Sequence, residues 1–173
     1  WPFYRDYVVR LLKRYKDARG IAHAPVAYED YKEMLDKEGE KIDAVVIATP
    51  DFMHHEHAIA CLKAGKHVYC EKEMSNTLEG ARAMVAAVRN TGKLLQIGHQ
   101  RRSNPRYLHC YKNLLGEAKL LGRIVTINGQ WNRAVAPDIG SADRYAIPEA
   151  RLKQYGFKNM HQFRNWRWYK GLG

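Results

Sequence analysis

No stretch of this chain approaches the roughly 18–20 uninterrupted apolar residues that a membrane-spanning helix needs. The opening Trp1-Pro2-Phe3-Tyr4-Arg5-Asp6 carries no signal-peptide pattern. Cysteine is scarce: Cys61, Cys70 and Cys110 are odd in number, widely spaced and free of any C-x-x-C pair. That excludes a disulfide framework and gives no zinc spacing, so the three read as small core hydrophobes. There is no Walker loop, no G-x-G-x-x-G, no G-x-S-x-G elbow and no Ser-His-Asp order. Acidic residues are outnumbered, 18 against 29 basic, for a formal charge of +11. Such an excess suits an anionic partner. The cations are nevertheless spread along the chain with no unbroken block, which indicates a solvated surface with anion-facing loops. No nucleic-acid or membrane partner is expected from it.

What is present is an ordinary globular composition over 173 residues, 46% hydrophobic and 11% aromatic. "YRDYVVRLLKRYKDA" (Tyr4 to Ala18) places Tyr4, Tyr7/Val8, Leu11/Leu12 and Tyr15 on one helical face, with Gly20 at its end. A shorter helix fits Tyr28 to Lys37, with Gly39 just beyond. "DAVVIATP" (Asp43 to Pro50) is a continuous β-branched run closed by proline, as a strand buried on both faces should be. The order then repeats: helix His55 to Ala64 capped by Gly65, strand His67 to Cys70, helix Thr77 to Asn90 before Gly92, strand Leu94 to Gly98, helix Pro105 to Leu121. Strands alternating with helices of this length predict an α/β fold with a parallel sheet. After Gly122 the alternation in "GRIVTINGQWNR" predicts a strand with one wet face. A polar stretch rich in Pro and Gly follows from Ala134 to Gln162. A domain boundary is therefore placed near Gly122. A lone strand beyond it, three strands before it and a first residue that is not Met give the sequence the look of a piece cut at both ends.

In an open parallel sheet, ligands bind at the carboxyl ends of the strands. The first strand ends in Thr49-Pro50-Asp51 with His54 and His55 following, the second in Glu71-Lys72, the third in Gly98-His99-Gln100-Arg101-Arg102. Lys72 is the strongest candidate for an acid or base, because an ammonium at a crevice lip loses hydration and its neutral form is favoured. Glu71 is expected to hold the amine in place; the plain alternative is an exposed ion pair of little consequence. His54, His55 and His57 have a feasible ligand spacing but no Cys or carboxylate completes it, so no metal is expected. A histidine at a helix start facing a phosphate or ribose is the more natural reading. The tail "HQFRNWRWYKG" interleaves cations with aromatics. It suits single-strand stacking, a cofactor-lining lip, or a core Trp pair with snorkelling arginines.

The motifs "ATPDFMHHEH", "AGKHVYCEKE", "GKLLQIGHQRRSNPRY" and "FRNWRWYKG" together resemble the glucose–fructose oxidoreductase / inositol dehydrogenase / MocA family. The resemblance runs over essentially the whole chain. It implies a Rossmann-like domain binding NAD or NADP over residues 1–121, with its first βα unit lying before Trp1. Residues 122–173 would begin a second, α+β domain built on an antiparallel sheet that carries substrate and oligomer contacts. Residue by residue it implies that Thr49, Pro50 and His54 line the cofactor and that Glu71 and Lys72 are the first two positions of an E-K-P signature. Gln100 and Arg102 would contact cofactor or substrate, and Trp166 and Arg167 would reach back to the cofactor. Lys72 would polarise or deprotonate the reacting hydroxyl. The signature's proline is Glu73 here. The family's glycine-rich phosphate turn would precede Trp1, and its catalytic His and Asp would follow Gly173.

The function implied is hydride transfer between a nicotinamide cofactor and a sugar or polyol hydroxyl, in a homo-oligomer acting on a small molecule. An NAD-dependent glycosidase of the same fold is one alternative. A non-catalytic Rossmann-like binding protein with a basic anion-binding face is another. A cytoplasmic location is the default expectation, an export signal upstream of Trp1 being the exception.

Overall fold

The computed structural model describes residues 1–169 except 23, 133, 135 and 136. In chain order the helices and strands are α1 (Pro2–Asp17), α2 (Tyr31–Glu38), β1 (Ala44–Ile47), α3 (His54–Lys63), β2 (His67–Cys70), α4 (Leu78–Thr91), β3 (Leu95–Ile97), α5 (Pro105–His109), α6 (Glu149–Gln154) and α7 (Met160–Arg164). They fall into two units, Trp1–Asp43 with Asp138–Gly173, and Ala44–Pro137.

The second unit is Rossmann-like. Its three strands lie parallel in the order β1-β2-β3, with Ile47 beside Cys70 and Cys70 beside Ile97. The helices obey their apolar periodicity. On α3 the buried positions are His54, Ala58, Cys61 and Leu62, and on α4 they are Gly80, Met84 and Ala87, each one stripe of a 3.6-residue turn. These side chains meet Ile47, Val68 and Cys70 from the sheet to form the core. Complete burial of a leucine such as Leu62 stabilises by about 1.5–3 kcal/mol. Thr77 caps α4 by accepting from the Gly80 amide at 3.1 Å, and Gly92 ends it in the left-handed region at φ +66. Gly80 is required by packing rather than by torsion: a Cβ there would overlap Ser75 Oγ and lie 2.9 Å from the His55 ring.

The first unit is held by aromatics. The Phe3 and Tyr145 rings stack at 3.8 Å, and Trp1 packs edge-on to Tyr4 and Phe163 while its indole N–H donates to the Tyr145 carbonyl at 2.7 Å. Glu29 accepts from Arg5 of α1 at 2.9 Å and also from Arg151 of α6.

The structure corrects four expectations. The Asp43–Pro50 run, expected to be buried on both faces, forms β1 with Ile47 buried but Val46 72% exposed. The alternating segment after Gly122 forms no strand among the described residues; Val125 and Ile127 are 79% and 83% exposed. A lone segment has no partner for its backbone groups, so alternation alone does not make it a strand. The predicted helix from Pro105 to Leu121 is helical only to His109 and continues as a wider π turn over Cys110–Glu117, closed by the Ala118 amide donating to Asn113. The polar stretch from Ala134 to Gln162 is not all loop: it contains α6, anchored by buried Leu152, and the start of α7. On α1 the predicted apolar face is present but none of it is buried.

Candidate active site

Register builds this site. The ladder runs one residue past the strand ends: the Glu71 amide donates to the Ile47 carbonyl at 2.8 Å, and the Gly98 amide to the Cys70 carbonyl at 2.8 Å. Each exit residue is thereby tied to the last residue of the preceding strand. The turns carrying Thr49, Glu71–Lys72 and His99–Gln100 leave one edge of the sheet together, as the strand-end argument predicts.

His54 joins two of these turns. It is 1% exposed, with Nδ1 2.6 Å from the Glu73 carbonyl oxygen and Nε2 2.8 Å from the Thr49 carbonyl oxygen. Both ring nitrogens are therefore committed to backbone. The placement expected for His54, lining a cofactor, is replaced by a pin that holds the end of β1 to the turn after β2. Thr49 keeps its hydroxyl outward, 3.1 Å from His57 Nδ1.

Lys72 and Glu73 are joined by a cis peptide bond. The Lys72 ammonium is held by Glu73 at 2.9 Å, not by Glu71 as expected. Glu71 instead receives the Lys72 backbone amide at 3.3 Å and the Tyr69 hydroxyl at 3.4 Å. The hydrogen bond from Lys72 holds the Glu73 carboxyl below its ordinary range, and its charge, with those of His99 and His54, adds to the effect. The amine is not withdrawn from water: 49% of the Lys72 side chain is exposed. It is available to a ligand, with the Glu73 carboxylate beside it.

Gly98 closes the other side. A Cβ there would come within 2.6 Å of the Tyr69 hydroxyl and 3.3 Å of the Glu71 carboxyl carbon. A bare backbone at β3's end thus lets Tyr69 and Glu71 lie across it. Gln100 and Arg102 are exposed on the turn that follows. Trp166 and Arg167 belong to the other unit, on a short 3-10 turn, with the Arg167 guanidinium 5.3 Å from the Trp166 ring centroid. Lys170 and Gly171 of the tail motif lie outside the described residues. Among the described residues no three His, Cys, Asp or Glu are grouped to hold a metal ion. Sequence reasoning missed Glu73 as the amine's partner and Tyr69 as the cover over Gly98. The two-residue spacing of Tyr69 and Glu71 on one strand face was the available signal for the second.

A family model described as "Oxidoreductase family, NAD-binding Rossmann fold" matches residues 8–99, more than half of the chain. The chain belongs to the Gfo/Idh/MocA oxidoreductase family. Among curated relatives, inositol 2-dehydrogenase 2 of Saccharopolyspora erythraea is 38% identical over 113 residues, 65% of this chain and 31% of that protein. A 4-carboxy-2-hydroxymuconate-6-semialdehyde dehydrogenase of a Sphingobium strain is 40% identical over 76 residues, 44% of this chain and 24% of that protein. The match thus spans no more than about a third of either relative's length. Among solved structures, the WlbA dehydrogenase of Bordetella pertussis, in complex with NADH and UDP-GlcNAcA, superposes with a TM-score of 0.52 at 31% identity, covering 62% of this chain and 30% of that one.

The family's cofactor fits what these residues offer. A nicotinamide dinucleotide presents ribose hydroxyls, phosphate oxygens and two polar rings. At the strand ends the Gfo/Idh/MocA chain presents a hydroxyl (Thr49), an ammonium (Lys72), an amide (Gln100) and a guanidinium (Arg102), all exposed. The donor set is cationic and hydrogen-bonding, with no thiolate: burial, with a lesser push from Glu71, raises the Cys70 thiol to about 11.

Proposed function

We propose that the chain is part of an NAD(P)-dependent oxidoreductase that oxidises the hydroxyl of a sugar or polyol, with Lys72 as the group that takes or holds the hydroxyl proton. The supporting observation is the shared carboxyl end of the parallel sheet, from which the turns bearing Thr49, Lys72 and Gln100 leave, in a chain of a nicotinamide-binding family. The bound nicotinamide supplies the hydride acceptor. Lys72, half-exposed and paired with Glu73, hydrogen-bonds the reacting oxygen and stabilises the negative charge that oxygen gains as its proton leaves. His54 fixes the Lys72–Glu73 turn against the end of β1, which orients the amine. Thr49, Pro50, Gln100 and Arg102 contact the dinucleotide. The name of the S. erythraea relative, inositol 2-dehydrogenase 2, favours a polyhydroxylated substrate, and the nucleotide sugar named in the WlbA complex extends the class to sugar derivatives. In the longer protein we place the dinucleotide-binding domain over residues 1–121 and the start of the substrate and oligomerisation domain at 122–173.

The test is hydride transfer by the full-length protein, followed as reduced nicotinamide with NAD+ or NADP+ and a panel of inositols, hexoses and nucleotide sugars. Turnover with at least one of them is expected. Cleavage of a glycoside without net cofactor reduction would replace the oxidoreductase reading with the glycosidase one. Absence of both, with steeply salt-dependent binding of anionic polymers, would replace it with a binding protein.

A further inference from the structure

In the first unit three side chains that no proposed step uses form a continuous hydrogen-bonded row. His161, on α7, has Nε2 2.7 Å from Asp138 Oδ2 and Nδ1 2.9 Å from the Tyr169 hydroxyl. We propose that Asp138, His161 and Tyr169 are a proton relay ending in the Tyr169 phenol, a second acid–base site that receives a neutral, hydroxyl-bearing ligand.

The direction of the row follows from donor chemistry. An ionised carboxylate only accepts, so in the neutral ring the proton sits on Nε2 and points at Asp138. Nδ1 then carries the lone pair and accepts from the Tyr169 O–H. This is the arrangement by which a carboxylate orients an imidazole and the imidazole draws a proton from a hydroxyl, with a phenol in the position of the nucleophile. As a ligand hydroxyl gives its proton to Tyr169 Oη, the phenol's own proton moves to His161 Nδ1. The imidazolium is then held by Asp138; no atom is oxidised or reduced.

Three features separate this row from a chance surface contact. The backbone beside Asp138 is fixed: Asn165, 1% exposed, accepts from the Ile139 amide at 2.8 Å and donates to the Ile139 carbonyl at 3.1 Å and the His161 carbonyl at 2.9 Å. One buried amide thus sets the acid's register against the helix bearing the histidine. The next residue is tied as well, the Gly140 carbonyl accepting from Arg164 Nε at 3.3 Å. The Tyr169 and His161 rings meet edge to face, centroids 6.3 Å apart, which fixes the phenol's approach. His161 and Asp138 are 53% and 60% exposed and Tyr169 is half-buried, so the row lies open to solvent along its length. The exposed carboxylate disfavours an anionic ligand, which is why the ligand class is neutral.

The test is acetyl transfer from p-nitrophenyl acetate to the full-length protein, located by peptide mass spectrometry. In that reaction Tyr169 Oη gains the acetyl–oxygen bond, p-nitrophenolate leaves, and the phenol proton passes to His161. Tyr169 is expected to react at least about tenfold faster than Tyr111 or Tyr155, although those two are 70% and 60% exposed. Asp138→Asn and His161→Gln should each bring Tyr169 down to their rate, and imidazole should restore it in His161→Gly. myo-Inositol should protect Tyr169 and gluconate should not. A Tyr169 rate equal to that of Tyr111 in the unaltered protein would overturn the relay whether or not the variants fold. An unchanged rate in folded Asp138→Asn would do the same. Equal protection by the two polyols, or none, would overturn the ligand class. None of these readings depends on nicotinamide chemistry or on Lys72.

Discussion

Two polar side chains are fully buried among the described residues, His54 in the second unit and Asn165 in the first, each 1% exposed. Both spend their polar atoms on backbone groups of distant segments. His54 links the turns after β1 and β2, and Asn165 links α7 to the segment at Asp138. Beside each lies an exposed group able to move a proton, Lys72 with Glu73 in one case and His161 with Tyr169 in the other. The units differ in what else supports the pin. Around His54 a parallel sheet and two helices bury Ile47, Ala58, Leu62, Val68 and Met84. In the first unit, among the described residues, Leu152 is the one hydrophobic side chain of that depth. A single polar residue can therefore position chemistry either from within an aliphatic core or largely through its own hydrogen bonds.

Removing the pins should separate the two cases. His54→Ala removes a buried ring that bridges two backbone carbonyls, leaving at least one without its donor inside a packed core, and should cost about 2–4 kcal/mol in chemical denaturation of the full-length protein. Asn165→Leu, which keeps the volume, should cost about 1–3 kcal/mol and also abolish the selective acetylation of Tyr169. Equal costs with reactivity retained would erase the distinction.

The thiols sharpen it further. Burial raises Cys61 and Cys70, the latter to about 11, whereas Cys110 is exposed. A thiol reagent at neutral pH should modify Cys110 at once and the other two only on unfolding. Because the fold favours the neutral Cys70 thiol, the stability it lends is intact below the ordinary thiol range of about 8.5. It declines as pH rises towards about 11. The smallest effect belongs to the first unit's surface. Glu29 is held below the usual carboxylate range by its hydrogen bond from Arg5, then by that from Arg151. Its contribution is present above about pH 4.3 and lost as acid protonates it. Since it lies at the surface, 48% exposed, Glu29→Gln should leave the neutral-pH midpoint nearly unchanged and flatten the acid limb slightly.

Much of the second unit was legible before any coordinates. β2 occupies His67–Cys70 as the apolar run predicts, and α4 sits between the threonine and glycine that signal its ends. Those features are local, set by period and capping. That the turns carrying Thr49, Lys72 and Gln100 leave the same end of the sheet was legible as well, because parallel topology puts successive carboxyl ends on one side. What escaped was non-local. His54's partners lie 5 and 19 residues away as backbone oxygens, which no side-chain pattern announces. Asp138 and Tyr169 are 23 and 8 residues from His161. The alternation after Gly122 misled because strand formation depends on a partner, whereas a capped helix such as α4 closes its own hydrogen bonds.

The proposed activity depends on Lys72 acting at the carboxyl end of the parallel sheet. The direct measurement is turnover and cofactor affinity of Lys72→Ala in the full-length protein, with Lys72→Arg alongside. A fall in kcat of about 10²–10⁴ with the cofactor Kd little changed is the expected result. Turnover equal to that of the unaltered protein would contradict it.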